Sequence, residues 1–227
     1  MIGKLKVLNL ILAAFVAMSA IAASTASAQQ GVITSDGPVT LIGTAIEGPV
    51  KTRFTGFGET LECPGSKMTG HALGETPHKF ISSGATTVTL TPHYVNCKLN
   101  ALPVTIDMNG CDYEIKIGKT KAGGEYEGSG SVVCPVGKEV QMTVFSSSSH
   151  ALKLCVISTS NGGGGGANVA NTEETGDIDI TGTVVGMHAK KSGLCGAATD
   201  GNASLEGEVT VEGLNQEGAP TAVSVTD

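Results

Sequence analysis

Three features of the sequence predict an all-β fold: an antiparallel β-sandwich or barrel-like sheet, disulfide-crosslinked, after a cleaved signal peptide. Short runs rich in Val, Ile and Thr alternate with Gly, Pro, Asn and Asp along the chain. Past residue 28 no segment sustains a helical period, and six cysteines, an even number, all lie beyond an export signal. β-Branched runs between frequent turn residues favour many short strands. Such strands bury their apolar faces by pairing two sheets or closing one.

The export signal comes first in the chain. Lys4 and Lys6 precede Val7 to Ala23, which holds no charge, and Ala26-Ser27-Ala28 forms an A-x-A site ahead of Gln29. A basic start, an apolar middle and a small-residue exit make a secretory signal peptide, with cleavage predicted between Ala28 and Gln29. The apolar run is short of the ~20 residues that span a bilayer and is diluted with Ala and Ser. The first cysteine, Cys63, is far from the cleavage site, so lipid attachment there is not expected. Ser224-Val225-Thr226-Asp227 carries no anchor signal. The expected product is secreted, extracellular or held in the cell envelope or periplasm, with no stable membrane insertion after cleavage.

Residues 29–227 suffice for one β-rich domain with a real core. Within it, the Gly-rich stretch 161–167, with five consecutive glycines at Gly162–Gly166, is read as a flexible loop and the one candidate sub-boundary. The 61 residues 167–227 are marginal for a core of their own, and are expected to complete the sheets of the first part. Without Lys4 and Lys6, 12 basic residues face 21 acidic ones, a net charge of −9. A surface of that sign repels phosphate, so no nucleic-acid partner is expected, and anionic membrane surfaces are disfavoured. The chain has no Trp, which weakens a lectin reading, because stacking platforms lean on Trp and Tyr.

Strands are predicted over Gly31–Ser35, Val39–Ile46, Lys51–Phe57, Thr86–Val95, Val104–Met108, Cys111–Ile117, Ser129–Cys134, Glu139–Ser146, Leu152–Ser158, Asp177–His188, Ser204–Glu212 and Ala222–Val225. Turn signals between them include Asp36-Gly37-Pro38, Pro64-Gly65, Asn109-Gly110, Pro135-Val136-Gly137 and Asp200-Gly201-Asn202.

Cys63, Cys97, Cys111, Cys134, Cys155 and Cys195 are read as disulfides, given an oxidising destination. One pair follows from local geometry. From Cys111 the apolar positions alternate through Tyr113, Ile115 and Ile117, with Asp112, Glu114 and Lys116 between them, a half-buried strand. Lys119 to Gly124 is turn-forming, and Gly128 to Cys134 reads as the return strand. Centring the hairpin between Ala122 and Gly123 makes opposed residue numbers sum to 245. Cys111 then faces Cys134, both on the apolar face, at a Cα separation of roughly 4.5–5.5 Å that a disulfide can bridge. For the other four, pairing by nearness in sequence gives Cys63–Cys97 and Cys155–Cys195, without a register argument. The smallest cysteine spacing, Cys97 to Cys111, is too wide for the close ligand pairs of a zinc site.

Gly84 to Cys97 (Gly-Ala-Thr-Thr-Val-Thr-Leu-Thr-Pro-His-Tyr-Val-Asn-Cys), Asn109-Gly110-Cys111-Asp112-Tyr113 and Val133-Cys134-Pro135-Val136-Gly137-Lys138 together resemble a pattern in uncharacterised secreted bacterial proteins. The resemblance covers roughly Cys63 to Cys155. It implies an export compartment and a β-rich, cysteine-containing architecture, and it brings no activity with it.

Catalytic signals are weak. Gly128-Ser129-Gly130-Ser131 lacks the spacing of a nucleophile elbow and no helix follows it. His71, His78, His93, His150 and His188 form no H-x-H or H-E-x-x-H pattern and are read as surface or loop residues. No Gly-Lys-Ser/Thr follows the glycine run, so a phosphate-binding loop is excluded. Asp177 and Asp179, and likewise Glu206 and Glu208, share a strand face at i and i+2. Such pairs can hold a hard cation or act in glycoside hydrolysis, but are read first as solvated strand edges. No catalytic, cofactor or metal residue is assigned, and no cofactor is expected. The leading expectation is a non-enzymatic secreted or surface-associated structural or interaction protein with a protein or cell-envelope partner. The alternatives are a cation- or small-ligand-binding module and a secreted hydrolase that uses carboxylates.

Overall fold

The structure, a computed structural model, describes residues 30–37, 39–45, 52–72, 85–160, 162–172 and 174–227. The signal peptide, its cleavage point at Ala28 and Gln29, and His78 lie outside the described residues. The fold is all-β, antiparallel and crosslinked by three disulfides.

After β1 (Val32–Ser35), the chain builds a wall of eight staves, most of them two strands in line. β2 (Thr40–Ala45) and β3 (Thr52–Gly56) form the first stave. The second is β4 (Glu59–Cys63) with β5 (Gly65–Ala72), and the third is β6 (Thr87–Val95) with β7 (Cys97–Leu99). β8 (Leu102–Asp107) and β9 (Asp112–Thr120) make the fourth, β10 (Tyr126–Val133) and β11 (Val140–Phe145) the fifth. The sixth is β12 (Lys153–Thr159) with β13 (Gly162–Thr172). β14 (Asp177–Gly193) and β15 (Ala198–Leu214) are the seventh and eighth. β16 (Pro220–Thr221) and β17 (Val223–Thr226) end the chain.

Each stave pairs antiparallel with the next, and β15 pairs with β2 (Val211↔Gly43) and with β3 (Leu205↔Phe54). The pairing therefore closes on itself as an eight-stranded up-and-down barrel. Closure removes the free edges that an open sheet would expose. Two-residue turns with both residues at positive φ join staves at one end: Phe57 and Gly58 (φ 58° and 74°), Asn100 and Ala101 (φ 49° and 69°). That geometry matches the twist of paired strands.

Inward positions are apolar and outward positions polar. On β14, Ile178, Ile180 and Val184 are buried, while the alternating Thr181 and Thr183 are exposed. This is the reverse of the apolar-out, polar-in alternation of a membrane-spanning barrel. An eight-stranded barrel is just wide enough for side chains to fill, and here they pack as two cores. One, around Phe54, Leu61, Val144, Ile157 and Met187, occupies the half built by β3, β4, β7, β8, β11 and β12. The other, around Leu41, Val88, Leu90, Ile117, Val169, Ile178 and Val211, occupies the half built by β2, β5, β6, β9, β10 and β13. β1 and β17 pair over the second half, and Ile33, Val223 and Val225 join its core. The Asn171 side chain clamps them, donating to the Val225 carbonyl and accepting from its N–H at 2.8 and 2.7 Å.

At the waist between the halves the staves are irregular. Pro64 interrupts the second, Asn96 (φ 57°) the third, and turns closed by Cys111 N–H to Met108 O and Lys138 N–H to Pro135 O interrupt the fourth and fifth. Two disulfides brace this level. Cys111–Cys134 joins the fourth and fifth staves at a Cα separation of 4.0 Å. Its hairpin runs Val133↔Asp112 to Gly128↔Ile117, the register in which opposed numbers sum to 245. Cys63–Cys97 joins the second and third at 4.1 Å. Cys155–Cys195 ties β12 to the turn after β14.

The Gly-rich stretch is not a loop. Gly162–Thr172 is a strand between β10 and β14, and glycine is required at Gly163 and Gly165, where the neighbouring wall comes close. A Cβ on Gly165 would lie 1.5 Å from the Thr183 carbonyl oxygen. Four of the predicted turns fall within strands or staves. Pro64-Gly65, Asn109-Gly110 and Pro135-Val136-Gly137 only pause the second, fourth and fifth staves, and Asp200-Gly201-Asn202 lies inside β15, which starts at Ala198. β4, β5, β7 and β16 were not expected as strands.

Candidate functional site

Two concavities face each other across one thin piece of wall. Four adjacent staves meet there through Gly128↔Ala167, Ala167↔Gly182 and Gly182↔Gly207. All four positions point inward by strand alternation, so this row contributes at most a methyl group to the interior.

Outside the wall lies an open groove of about 490 Å³, lined by Lys121, Glu125, Asn168, Thr181, Thr183 and Glu206 over the glycines. Its side chains are set by one another. The Lys121 ammonium donates to Asn168 Oδ1 at 2.8 Å, and Asn168 Nδ2 donates to Glu125 Oε2 at 2.7 Å. Lys121 and Glu125 are brought together by the turn between β9 and β10, where the Lys121 N–H bonds the Glu125 carbonyl. Arg53 holds Glu206 at 3.4 Å and Glu62 at 3.0 Å. These bonds to Glu62 and Glu206 raise the guanidinium pKa further. The groove offers amide, hydroxyl and charged hydrogen-bonding groups in fixed positions. Among its described lining residues there is no histidine or cysteine.

Inside the wall lies a cavity of about 80 Å³ between the two cores, adjoined by one of about 30 Å³. Tyr94 and Tyr113 line both, and their hydroxyls are hydrogen-bonded to each other. Burial pushes the Tyr94 phenol well above its ordinary range and the Tyr113 phenol up to about 12.

The residues weighed from sequence are dispersed. Asp179 accepts from Thr210 at 2.7 Å on the outer wall, so the pair with Asp177 is part of the strand surface. Asp200 accepts from the N–H groups of Phe57 at 2.7 Å and Asn202 at 2.9 Å, and these backbone bonds lower its pKa. It buttresses a turn. His150 stacks against Phe145, with ring centroids 4.4 Å apart. Ser129 and Ser131 lie on β10, whose Gly128 and Gly130 oppose Ile117 and Ile115. Among the described residues no group of three or more His, Cys, Asp or Glu is placed to hold a metal ion.

Comparison with family models, curated proteins and solved structures gives no match to this chain.

Both concavities escaped the sequence reading. Lys121 and Asn168 are 47 residues apart and carry no motif. The one local signal is Thr181-Gly182-Thr183, where two outward threonines flank an inward glycine.

Proposed function

We propose that this chain is an exported, non-catalytic interaction protein that works through the outer wall of its barrel. The observation that carries this reading is the groove over the glycine wall, where the hydrogen-bonded Lys121–Asn168–Glu125 network lies beside Thr181, Thr183 and Glu206. A preset network meets its partner with little further ordering, which favours binding.

Three disulfides suit an oxidising, extracytoplasmic compartment. Gln30 Nε2 donates to the Ile117 carbonyl and the Gly31 N–H to the Gly118 carbonyl, bonds that cleavage between Ala28 and Gln29 would leave in place. The partner class is a protein or other cell-envelope component rich in hydrogen-bonding groups. The excess of carboxylates disfavours nucleic acid, and the polar outer wall disfavours insertion into a bilayer.

The test is retention of envelope components on immobilised mature protein. Thr183→Arg fills the groove, Asn168→Ala removes the centre of its network, and Gln141→Arg alters the exposed wall of β11 elsewhere. The expected result is a component lost with the first two variants and kept with the third. Equal retention by all three contradicts the assignment of the groove.

A further inference from the structure

The inner cavity supports a binding site independent of the outer wall. It exists because Gly130, Ala167, Gly182 and Gly207 line one side of the waist with almost no side-chain volume, while Met68, Leu90 and Ile115 fill the side opposite. A void with so apolar a lining tends to stay dry and accepts apolar molecules.

Hydroxyl groups nevertheless face it. Tyr94 and Tyr113 between them carry two hydroxyl protons, and their mutual bond uses one. Thr159 lines the smaller cavity, is 4% exposed, and its Oγ1 has no hydrogen-bond partner. A buried hydroxyl left unpaired is costly, so it calls for a ligand group that pairs with it. Among the described residues no cation or carboxylate lines the smaller cavity, and the carboxylates at the larger one, Glu206 and Glu208, alternate with the inward Gly207 on β15, so an uncompensated ligand charge inside would lose its hydration without replacement. Size is bounded as well. A cavity of about 150 Å³ takes benzene, so the larger one, at about 80 Å³, takes a molecule of roughly three or four heavy atoms by the same scaling.

We infer that the waist of the barrel binds a small, neutral, largely apolar molecule bearing one hydroxyl group, of the size of a short-chain alcohol. The apolar body sits against Leu90, Ile115 and Val184, and the hydroxyl meets the Tyr94–Tyr113 pair or Thr159.

The test is an NMR titration of the mature protein with 2-propanol and, under pressure, with its isostere isobutane. Expected are saturable shifts confined to signals of waist residues, with the ratio of 2-propanol to isobutane affinity about threefold to tenfold higher in the wild type than in a variant that lacks the partner hydroxyl, the worth of one hydrogen bond. Tyr113→Phe and the isosteric Thr159→Val each remove one hydroxyl. At least one of them should lower that ratio by about threefold to tenfold while isobutane binding persists. A ratio unchanged in both variants would overturn the proposal in favour of a featureless apolar void. Linear shifts spread over the surface, or no shifts at the waist, would overturn it outright.

Discussion

Replacing both Cys111 and Cys134 with alanine removes a crosslink that closes a segment with a sequence separation of 23. Loop-closure entropy for 24 residues gives a loss of about 3.4 kcal/mol at 25 °C. The two sulfur atoms are also part of the core, since Cys111 is fully buried and Cys134 is 6% exposed. Their removal adds about 1 kcal/mol of lost contacts. The expected total is about 4 kcal/mol, and for a domain of this size each kcal/mol moves Tm by about 2–4 °C. Urea unfolding of the mature wild type and the double variant measures it, with the other two disulfides intact. The slope with denaturant should rise in the variant, because its unfolded chain exposes more surface. A loss under 1 kcal/mol with an unchanged slope would refute the reasoning. It would mean that the hairpin stays as constrained in the unfolded chain without the crosslink as with it.

The glycine wall gives two contrasting outcomes from three neighbouring residues. Gly165→Ala places a Cβ 1.5 Å from a backbone oxygen and should cost more than about 3 kcal/mol. Gly164→Ala and Gly166→Ala meet nothing within 4 Å and should change stability by no more than about 1 kcal/mol, toward greater stability; equal costs at all three sites in thermal unfolding would contradict the strand placement. Thr159→Val keeps the shape and removes an unpaired buried hydroxyl, so chemical denaturation should show a gain of about 1 kcal/mol. Alkaline pH should destabilise the fold through Tyr94 and Tyr113, whose phenols burial holds above their ordinary value. The folded state keeps protons that the unfolded chain releases above about pH 10. Stability is therefore unaffected below that value and falls as pH climbs toward about 12, where Tyr113 titrates. Phenolate absorbance should rise together with loss of circular dichroism, and ionisation of both tyrosines near pH 10 in an intact fold would contradict their burial.

The hairpin of β9 and β10 was legible in the sequence because its apolar alternation runs unbroken from Cys111 to Ile117 and its turn is rich in glycine. A second hairpin of the same kind was not. In β4–β5 against β6–β7, opposed residues such as Leu61↔Leu99 and Gly65↔Val95 keep one constant register that also sets Cys63 against Cys97. Pro64-Gly65 reads as a turn in isolation, yet it sits where the stave bends at the waist, and the long connection after Ala72 hides the pairing. β13 was illegible for a different reason: five glycines have no side chains, so neither period 2 nor β-propensity can register. Their placement depends on a partner strand far along the chain, as the contact of Gly165 with Thr183 illustrates. The groove and the cavity inherit that difficulty, since both are made by the closure of the sheet around the glycine row.

Inside and outside have meaning only if the last stave meets the first. Cross-strand Hα–Hα and amide NOEs between β15 and β2 test this directly in the mature protein. A closed barrel predicts contacts between Val211 and Gly43 and between Val209 and Ala45, together with those between Leu205 and Phe54 on β3. Their absence, with the pairing of β15 to β14 intact, would show an open sheet or sandwich and would remove both the groove and the waist cavity.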